Sequence, residues 1–485
     1  MSSILVFSII SVYFIVLLII ARLTSRGATS QTFFNAKRKS PWFVVAFGMI
    51  GTSLSGVTFM SVPGWVGTTQ FSYMMIALGY FFGYIVIATV LLPLYYRLNL
   101  TSIYSYLGDR FGFRSYKTGA FFFILSRSLG AAFRMYIVIN VLQIFVFDAW
   151  NIPFWLTVFI FIVLVILYTY QGGVKTIVWT DSLQTIGMLT AVVLTIVFIS
   201  NELGLSFPHL VEKVQNSSMS DMFFAGEWND KRHFLKQFLA GMFITITMTG
   251  LDQEMMQKNL SCRNIREAQK NMFTFSVIIV FVILMFLFLG AILYMYAYAN
   301  NIAIPKITDD LYPLLALKYF SPAVGIIFLI GLISAAFPSA DGALTSLTTS
   351  FSVDFLGLNK KNLQEKQIRK TRYKVHLSFA LLLLIIIVVF KAVNNQAVIS
   401  KLLTVATYTY GPLLGLYSFG LFTKRYVNDR MVPFIAILSP IICYFLSTYS
   451  KQLFNGYELG YELLIINGMI TFGLLWGTGF WKKED

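Results

Sequence analysis

From Ser40 to Tyr96 the chain carries no Asp, Glu, Lys or Arg. That run alone has room for two membrane-spanning helices, since each needs ~20 mostly apolar residues. Apolar runs bounded by charge recur along the rest of the chain. They predict thirteen helices, at roughly 3–22, 42–66, 72–96, 119–147, 152–170, 176–200, 235–256, 272–298, 319–355, 376–393, 399–422, 431–450 and 458–480. Residues 1–22 are expected to be a span rather than a signal peptide, because no basic segment precedes them and no A-x-A site follows. The pattern predicts an all-α membrane protein with one transmembrane domain over 1–485.

Composition agrees with the pattern. Of 485 residues, 57% are hydrophobic and 12% charged, about half the charge of a soluble domain. Soluble enzymes, disordered regulators and secreted disulfide scaffolds are excluded. A net charge of +16 would point to nucleic acid in a soluble chain, but here it reads as topology. With the N-terminus outside and the C-terminus in the cytoplasm, 26 of the 37 Lys and Arg fall on the cytoplasmic side. Arg22, Arg26, Lys37, Arg38 and Lys39 follow the first span, and the densest stretch runs from Lys360 to Lys374. No nucleic-acid partner is expected. Cys262 and Cys443 form no CxxC pair. His209, His233 and His376 stand at the ends of apolar runs and read as solvated or interfacial. No H-E-x-x-H, G-x-S-x-G, Walker A or G-x-G-x-x-G pattern occurs, so no enzyme chemistry is expected.

Two spans are unlike the others. Half of the twenty residues from Gly48 to Gly67 are Gly, Ser or Thr, and Pro63 interrupts the helix there. Irregular backbone at membrane depth survives only where it lines protein or a polar cavity, and a Gly/Pro-interrupted span points to a midplane site. The competing reading is a small-residue packing face. The ninth span carries eight Ser or Thr between Ser334 and Ser352, with Pro338 and Asp341. Asp341, Thr345, Thr348 and Ser352 form one polar stripe at helical spacing. Hydroxyls, and carbonyls such as that of Ser334 freed by unwinding near Pro338, are hard oxygen ligands suited to Na⁺. A Ser/Thr packing seam is the alternative. Charges at membrane depth are Arg127 and Arg134 in the fourth span, Asp181 in the sixth, Asp252 in the seventh and Asp341 in the ninth. Each costs at least ~2.5–3.5 kcal/mol there and is a site candidate by default. A structural ion pair between an Arg and one of the aspartates competes with that reading.

Several motifs together carry a resemblance. They are Gly172-Gly173-Val-Lys-Thr-Ile-Val-Trp-Thr-Asp181-Ser182-Leu-Gln184, Gly250-Leu-Asp252-Gln253 with Gln257, and the ninth-span block ending in Val353-Asp354. The stretches RKSPWFVVAFG, TSIYSYLGDRFG and SRSLGAAFRMYIV join them. In order and spacing the chain resembles the sodium/solute symporter family, which includes glucose, iodide, monocarboxylate and sialic acid carriers. The resemblance implies a five-plus-five inverted-repeat (LeuT-like) transporter core with a broken first core helix. Residues 42–200 would form repeat one and 235–422 repeat two. The first helix with its loop (1–41) and the two C-terminal helices with the tail (431–485) would be peripheral.

Matching motif to motif, the resemblance implies a sodium site at Gly51, Leu54, Ala336, Ser339 and Ala340. Ala340 departs from the family, which usually has a second hydroxyl there. A second sodium site of some members would match Asp181, but its hydroxyls are replaced by Gly342 and Ala343, so no complete second site is expected. Asp181 and Asp341 remain acids on a possible ion path. Sialic-acid-carrying members imply that Ser55, Thr58 and Arg134, with Ser53 beside them, hold a carboxylate; Asp252 and Gln253 would add polar contacts. Guanidinium takes a carboxylate bidentately while hydroxyls fill the other lone pairs. Val62-Pro63 resembles the iodide and monocarboxylate branch, and Val57 stands where glucose carriers offer a polar side chain. The expectation is therefore a sodium-coupled symporter of the bacterial inner membrane, with Na⁺ as coupling ion, a small anionic solute as cargo, the lipid bilayer around it and no obligate protein partner. A carrier of a neutral sugar and a proton-coupled carrier working through Asp181 or Asp341 are the nearest alternatives. A channel, a membrane sensor or a membrane enzyme centred on Asp252-Gln253-Glu254 with Lys258 are the more distant ones.

Overall fold

The computed structural model describes residues 3–25, 33–34, 36–170, 173–358, 363–393 and 398–480. Arg26, Gly172 and Lys360, which belong to the clusters and motifs above, lie outside them. The regular structure of the described residues is all helical, with isolated β-bridges and no strand. The major helices are α1 (Ser3–Thr24), α2 (Trp42–Ser53), α3 (Gly56–Thr69), α4 (Tyr73–Val86), α5 (Phe113–Leu142), α6 (Phe154–Thr169), α7 (Val174–Glu202) and α8 (Phe234–Thr245). They continue with α9 (Gln253–Asn259), α10 (Ile265–Ala299), α11 (Pro322–Ser350), α12 (Glu365–Val393), α13 (Val398–Thr409), α14 (Gly411–Phe422), α15 (Val432–Thr448) and α16 (Leu463–Thr478). Among the described residues six continuous helices are long and apolar enough to cross a membrane, or seven when the bent pair ending in α9 is one span. Their outward faces stay apolar: Leu381, Ile385 and Val389, one turn apart on α12, are 59, 50 and 57% exposed. Such a stripe is stable only against lipid or protein.

Three expected spans are interrupted; the sequence reading placed a break in the second of them alone, at another position, and took the seventh and eleventh as continuous. The second span breaks at Leu54 and Ser55 rather than at Pro63, which sits inside α3. The seventh is not one helix. A π-helical turn over Ile246–Gly250 ends α8, and α9 leaves at 69°. Gly250 followed by Asp252 writes that break into the sequence, because the Asp252 carboxylate caps α9 by accepting from the amides of Glu254 and Met255 at 2.9 and 3.3 Å. The eleventh breaks at Tyr410, between α13 and α14. The ninth span does the reverse. Pro338 lies inside an unbroken α11 and unwinds nothing, although its missing N–H still deprives the Ser334 carbonyl of its usual donor.

Packing is closest where glycines let backbones touch. A Cβ on Gly241 of α8 would lie 2.9 Å from Ile76 Cα of α4, and one on Gly79 of α4 would lie 2.8 Å from the amide of Met242. α7 packs along both α2 and α11, and α10 lies against α2, α3 and α4. α11 is buried along most of its length, with Phe337 stacked on Phe161 of α6 at 4.6 Å between ring centres. This arrangement brings the ends of α2 and α9 and the middles of α5, α7 and α11 to one depth.

Candidate functional site

The break after α2 opens the site. The last carbonyls of a helix lack donors one turn on, and those of Gly51 to Leu54 accept no bond from a neighbouring element among the described residues. α3 then starts at Gly56, seated so tightly on α5 that an added Cβ would press on Val138 and lie 3.6 Å from the Arg134 carbonyl. The positive end of α3 therefore faces the helix that carries Arg134. A cavity of about 710 Å³, counted out to its mouth, lies between them. Its lining includes Ser53, Ser55 and Thr58 from the break, Arg127 and Arg134 from α5, and Tyr73 and Tyr80 from α4, whose hydroxyls are 3.1 Å apart.

The two arginines differ in their partners. Arg127 is ion-paired with Glu254, in close contact, and its Nη1 lies 3.9 Å from Asp252 Oδ2. Arg134, 9% exposed, has no ion-pair partner among the described residues, and its Nε is without a hydrogen bond. A buried guanidinium without an ion-pair partner, beside hydroxyls and a helix N-terminus, has the donors to hold an anion.

Asp252 and Gln253 are engaged elsewhere and do not line the cavity. Besides capping α9, Asp252 accepts from the Tyr410 hydroxyl at 2.7 Å. Gln253 accepts from the Ile103 amide at 2.9 Å and donates to the Thr101 carbonyl at 2.8 Å. Tyr95 and Tyr104 donate at 2.9 Å to the carbonyls of Gly250 and Leu251, so the break before α9 is satisfied by protein. The carbonyls of the first break take no bond from a neighbouring element among the described residues, whereas those of the second are bonded.

Gly51 places the end of α2 against α7 and α11: a Cβ there would press on Thr185, sit 3.2 Å from the Asp181 carbonyl and 3.5 Å from Pro338 Cγ. Beside Pro338, the fully buried Ser339 hydroxyl has no partner. Free α2 carbonyls and an orphaned hydroxyl form an oxygen set that fits a hard monovalent cation; Ala336 and Ala340 have only carbonyls to offer. Asp341 accepts from the Tyr168 hydroxyl at 3.0 Å through one oxygen, and its other oxygen is unpartnered.

Two charges that the sequence reading placed at the membrane interface are buried instead. Glu254 and Lys258, each 2% exposed, lie one turn apart on α9. Lys258 counted there as a cytoplasmic base and Glu254 as part of a helix end. Their i,i+4 spacing after a glycine and an N-cap aspartate looks like a solvated helix start, and only the 69° bend carries them inward. His376 also differs from the expectation of a solvated ring. It is 2% exposed and bonded to Thr348 at 2.9 Å and Thr169 at 3.1 Å, so it joins the polar stripe of α11 to α6.

The model of the sodium:solute symporter family matches residues 33–430. The sodium/sialic acid symporter NanT of Aliivibrio fischeri is 23% identical over 92% of this chain and 88% of its own length. Sodium-coupled monocarboxylate transporter 1 of Mus musculus is 25% identical over 81% of this chain and 64% of its own. A solved substrate-bound, outward-open Na⁺-coupled sialic acid symporter superposes with a TM-score of 0.83 over 97% of this chain and 96% of that one, at 20% identity.

Proposed function

The chain belongs to the sodium:solute symporter family, and from that premise we propose that it is a sodium-coupled secondary active symporter importing a small carboxylate-bearing solute by alternating access. The observation that carries the anionic substrate is Arg134, a buried guanidinium without an ion-pair partner among the described residues, facing the cavity with Ser53, Ser55 and Thr58. The solutes named for the relatives, sialic acid and monocarboxylates, share that carboxylate. Na⁺ would bind between the carbonyls of Gly51 and Leu54 on α2 and Ala336, Ser339 and Ala340 on α11. Bound there it would bridge the two helices, stabilise the outward-open arrangement and order Ser53 and Ser55 for the solute. This is positive linkage between two ligands through one conformational equilibrium.

The proposed frame has thirteen spans in the bacterial inner membrane, N-terminus outside and C-terminus inside. Residues 42–200 and 235–422 form the two inverted repeats, and 1–41 and 431–485 lie at the periphery. The test is uptake of carboxylated sugars and small organic acids into proteoliposomes under an inward sodium gradient. Accumulation in sodium but not in choline, with neutral sugars refused, is the expected result. Uptake indifferent to sodium but tracking external pH would overturn it in favour of proton coupling.

A further inference from the structure

Lys258 ends in a place that a mobile cation could fill. Its ammonium is in contact with Thr52 Oγ1, lies 2.6 Å from Asp181 Oδ2 and stands 3.8 Å from Glu254 Oε1. The Thr52 hydroxyl is itself 3.1 Å from the same Asp181 oxygen. Asp341, with one oxygen unpartnered, stands next to Gly342 on α11. Arg127, on the far side of Glu254, answers that carboxylate. Thr52 and Asp181 are fully buried. Four helices meet here: α2 brings Thr52, α7 Asp181, α9 Glu254 with Lys258, and α11 Gly342. The room for the ammonium comes from Gly342, where a Cβ would lie 3.2 Å from Lys258 Nζ and would press on Glu254 Oε1.

Hydroxyl and carboxylate oxygens converging on one buried point are the ligand set of a hard monovalent cation. A carboxylate in that position without a counter-charge would be strongly destabilising. Here the counter-charge is carried by the chain itself, at the end of a flexible four-carbon stem anchored on a seven-residue helix.

We propose that Lys258 is a resident, covalently tethered cation, whose ammonium occupies the oxygen-lined position between Thr52, Asp181 and Glu254 that a dissociable alkali ion would otherwise take. The charge needed to hold α2, α7, α9 and α11 together at this point is then never exchanged with solution. The consequence for coupling rests on the function proposed above: the ion beside Ser339 is the one coupling ion moved per cycle, and the position at Asp181 contributes none. The tethering itself does not depend on that reading.

Removing the amine opens the position. Lys258→Met keeps most of the stem and deletes the charge. The purified variant is expected to bind one more ²²Na⁺ per chain than the unaltered protein. Its melting temperature in detergent should gain a rise with NaCl that choline chloride does not produce. That added component should persist when Ser339→Ala is combined with K258M, and should vanish when Asp181→Asn is combined with it. An unchanged ion count and an unchanged sodium response in K258M would overturn the inference. Should K258M fail to fold, the unaltered protein decides: two bound sodium ions per chain overturn the proposal, and one supports it. A count of zero agrees with a resident Lys258 while overturning the sodium site at Ser339, so the two readings fail separately.

Discussion

Replacing Arg134 should impair transport without weakening the fold. The side chain is buried to 9% exposure, its Nε has no hydrogen bond, and no carboxylate stands within ion-pair distance of it among the described residues. Holding a guanidinium there costs several kcal/mol of desolvation that the empty protein does not recover. A carboxylate ligand recovers it. Two charge-assisted hydrogen bonds of about 1.5–3 kcal/mol each make a total of about 3–6 kcal/mol, or roughly a hundredfold to ten-thousandfold in affinity. Arg134→Met, close in length and uncharged, is therefore expected to raise the KM for the anionic solute by that factor, or to abolish measurable uptake. Its melting temperature should be equal to or above that of the unaltered protein. Arg134→Lys should rescue part of the affinity, because a point charge replaces the fork without its bidentate geometry. The measurements are initial uptake rates against solute concentration in proteoliposomes and thermal unfolding in the same detergent. A variant that melts several degrees lower and keeps its KM would refute the reasoning and make Arg134 a structural residue.

Arg127→Met should behave in the opposite way, because it leaves the buried Glu254 with Lys258, 3.8 Å away, as its remaining counter-charge; a loss of up to about 3–5 kcal/mol is expected, seen as failure to purify or a collapse in melting temperature. Ser339→Ala removes the orphaned hydroxyl on α11 and should abolish sodium stimulation of uptake, read as the ratio of rates in sodium and choline; full stimulation remaining would remove the proposed ion site. Glu458 is pushed down to about 2 by hydrogen bonds from Lys231 and then Lys451. A carboxylate with a depressed folded value stabilises above its ordinary range and loses that contribution as pH falls toward about 2. Glu458→Gln should accordingly lower stability by no more than about 1 kcal/mol, as for other exposed pairs. The difference should be constant from about pH 6 to 8 and shrink below about pH 4, and a loss that grows with acidity would contradict the assignment.

Much of the frame is legible in the apolar runs, because a helix in lipid must satisfy its own backbone and so needs a long uncharged segment. The breaks are less legible. Pro63 drew attention as the interruption, yet inside a helix it forfeits one hydrogen bond and α3 continues through it. The chain turns instead at Leu54 and Ser55, where Gly56 lets α3 dock on α5, a contact visible only in three dimensions. Gly250 and Asp252 did carry the signature of one helix ending and another being capped, a signal available at the outset. Arg134 and Ser339 could be singled out because polarity at membrane depth is rare. Glu254 and Lys258 were visible only as an interfacial cluster, since next to Arg263 and Arg266 they look like the start of a wet loop, and no one-dimensional pattern encodes the bend that buries them.

The glycine contacts between α4 and α8 bear on how such a molecule can move. Side chains between helices work like bearings: they change rotamer and let the surfaces slide. Where Gly79 and Gly241 press backbone on backbone there is no rotamer to change, and sliding would mean lifting one main chain over the other. The two helices are far apart in the sequence and both supply cavity wall, Tyr73 and Tyr80 from one and Ile244 and Thr245 from the other. They pack as a single stiff plate, so this wall of the cavity is expected to move as one piece in any rearrangement of the molecule.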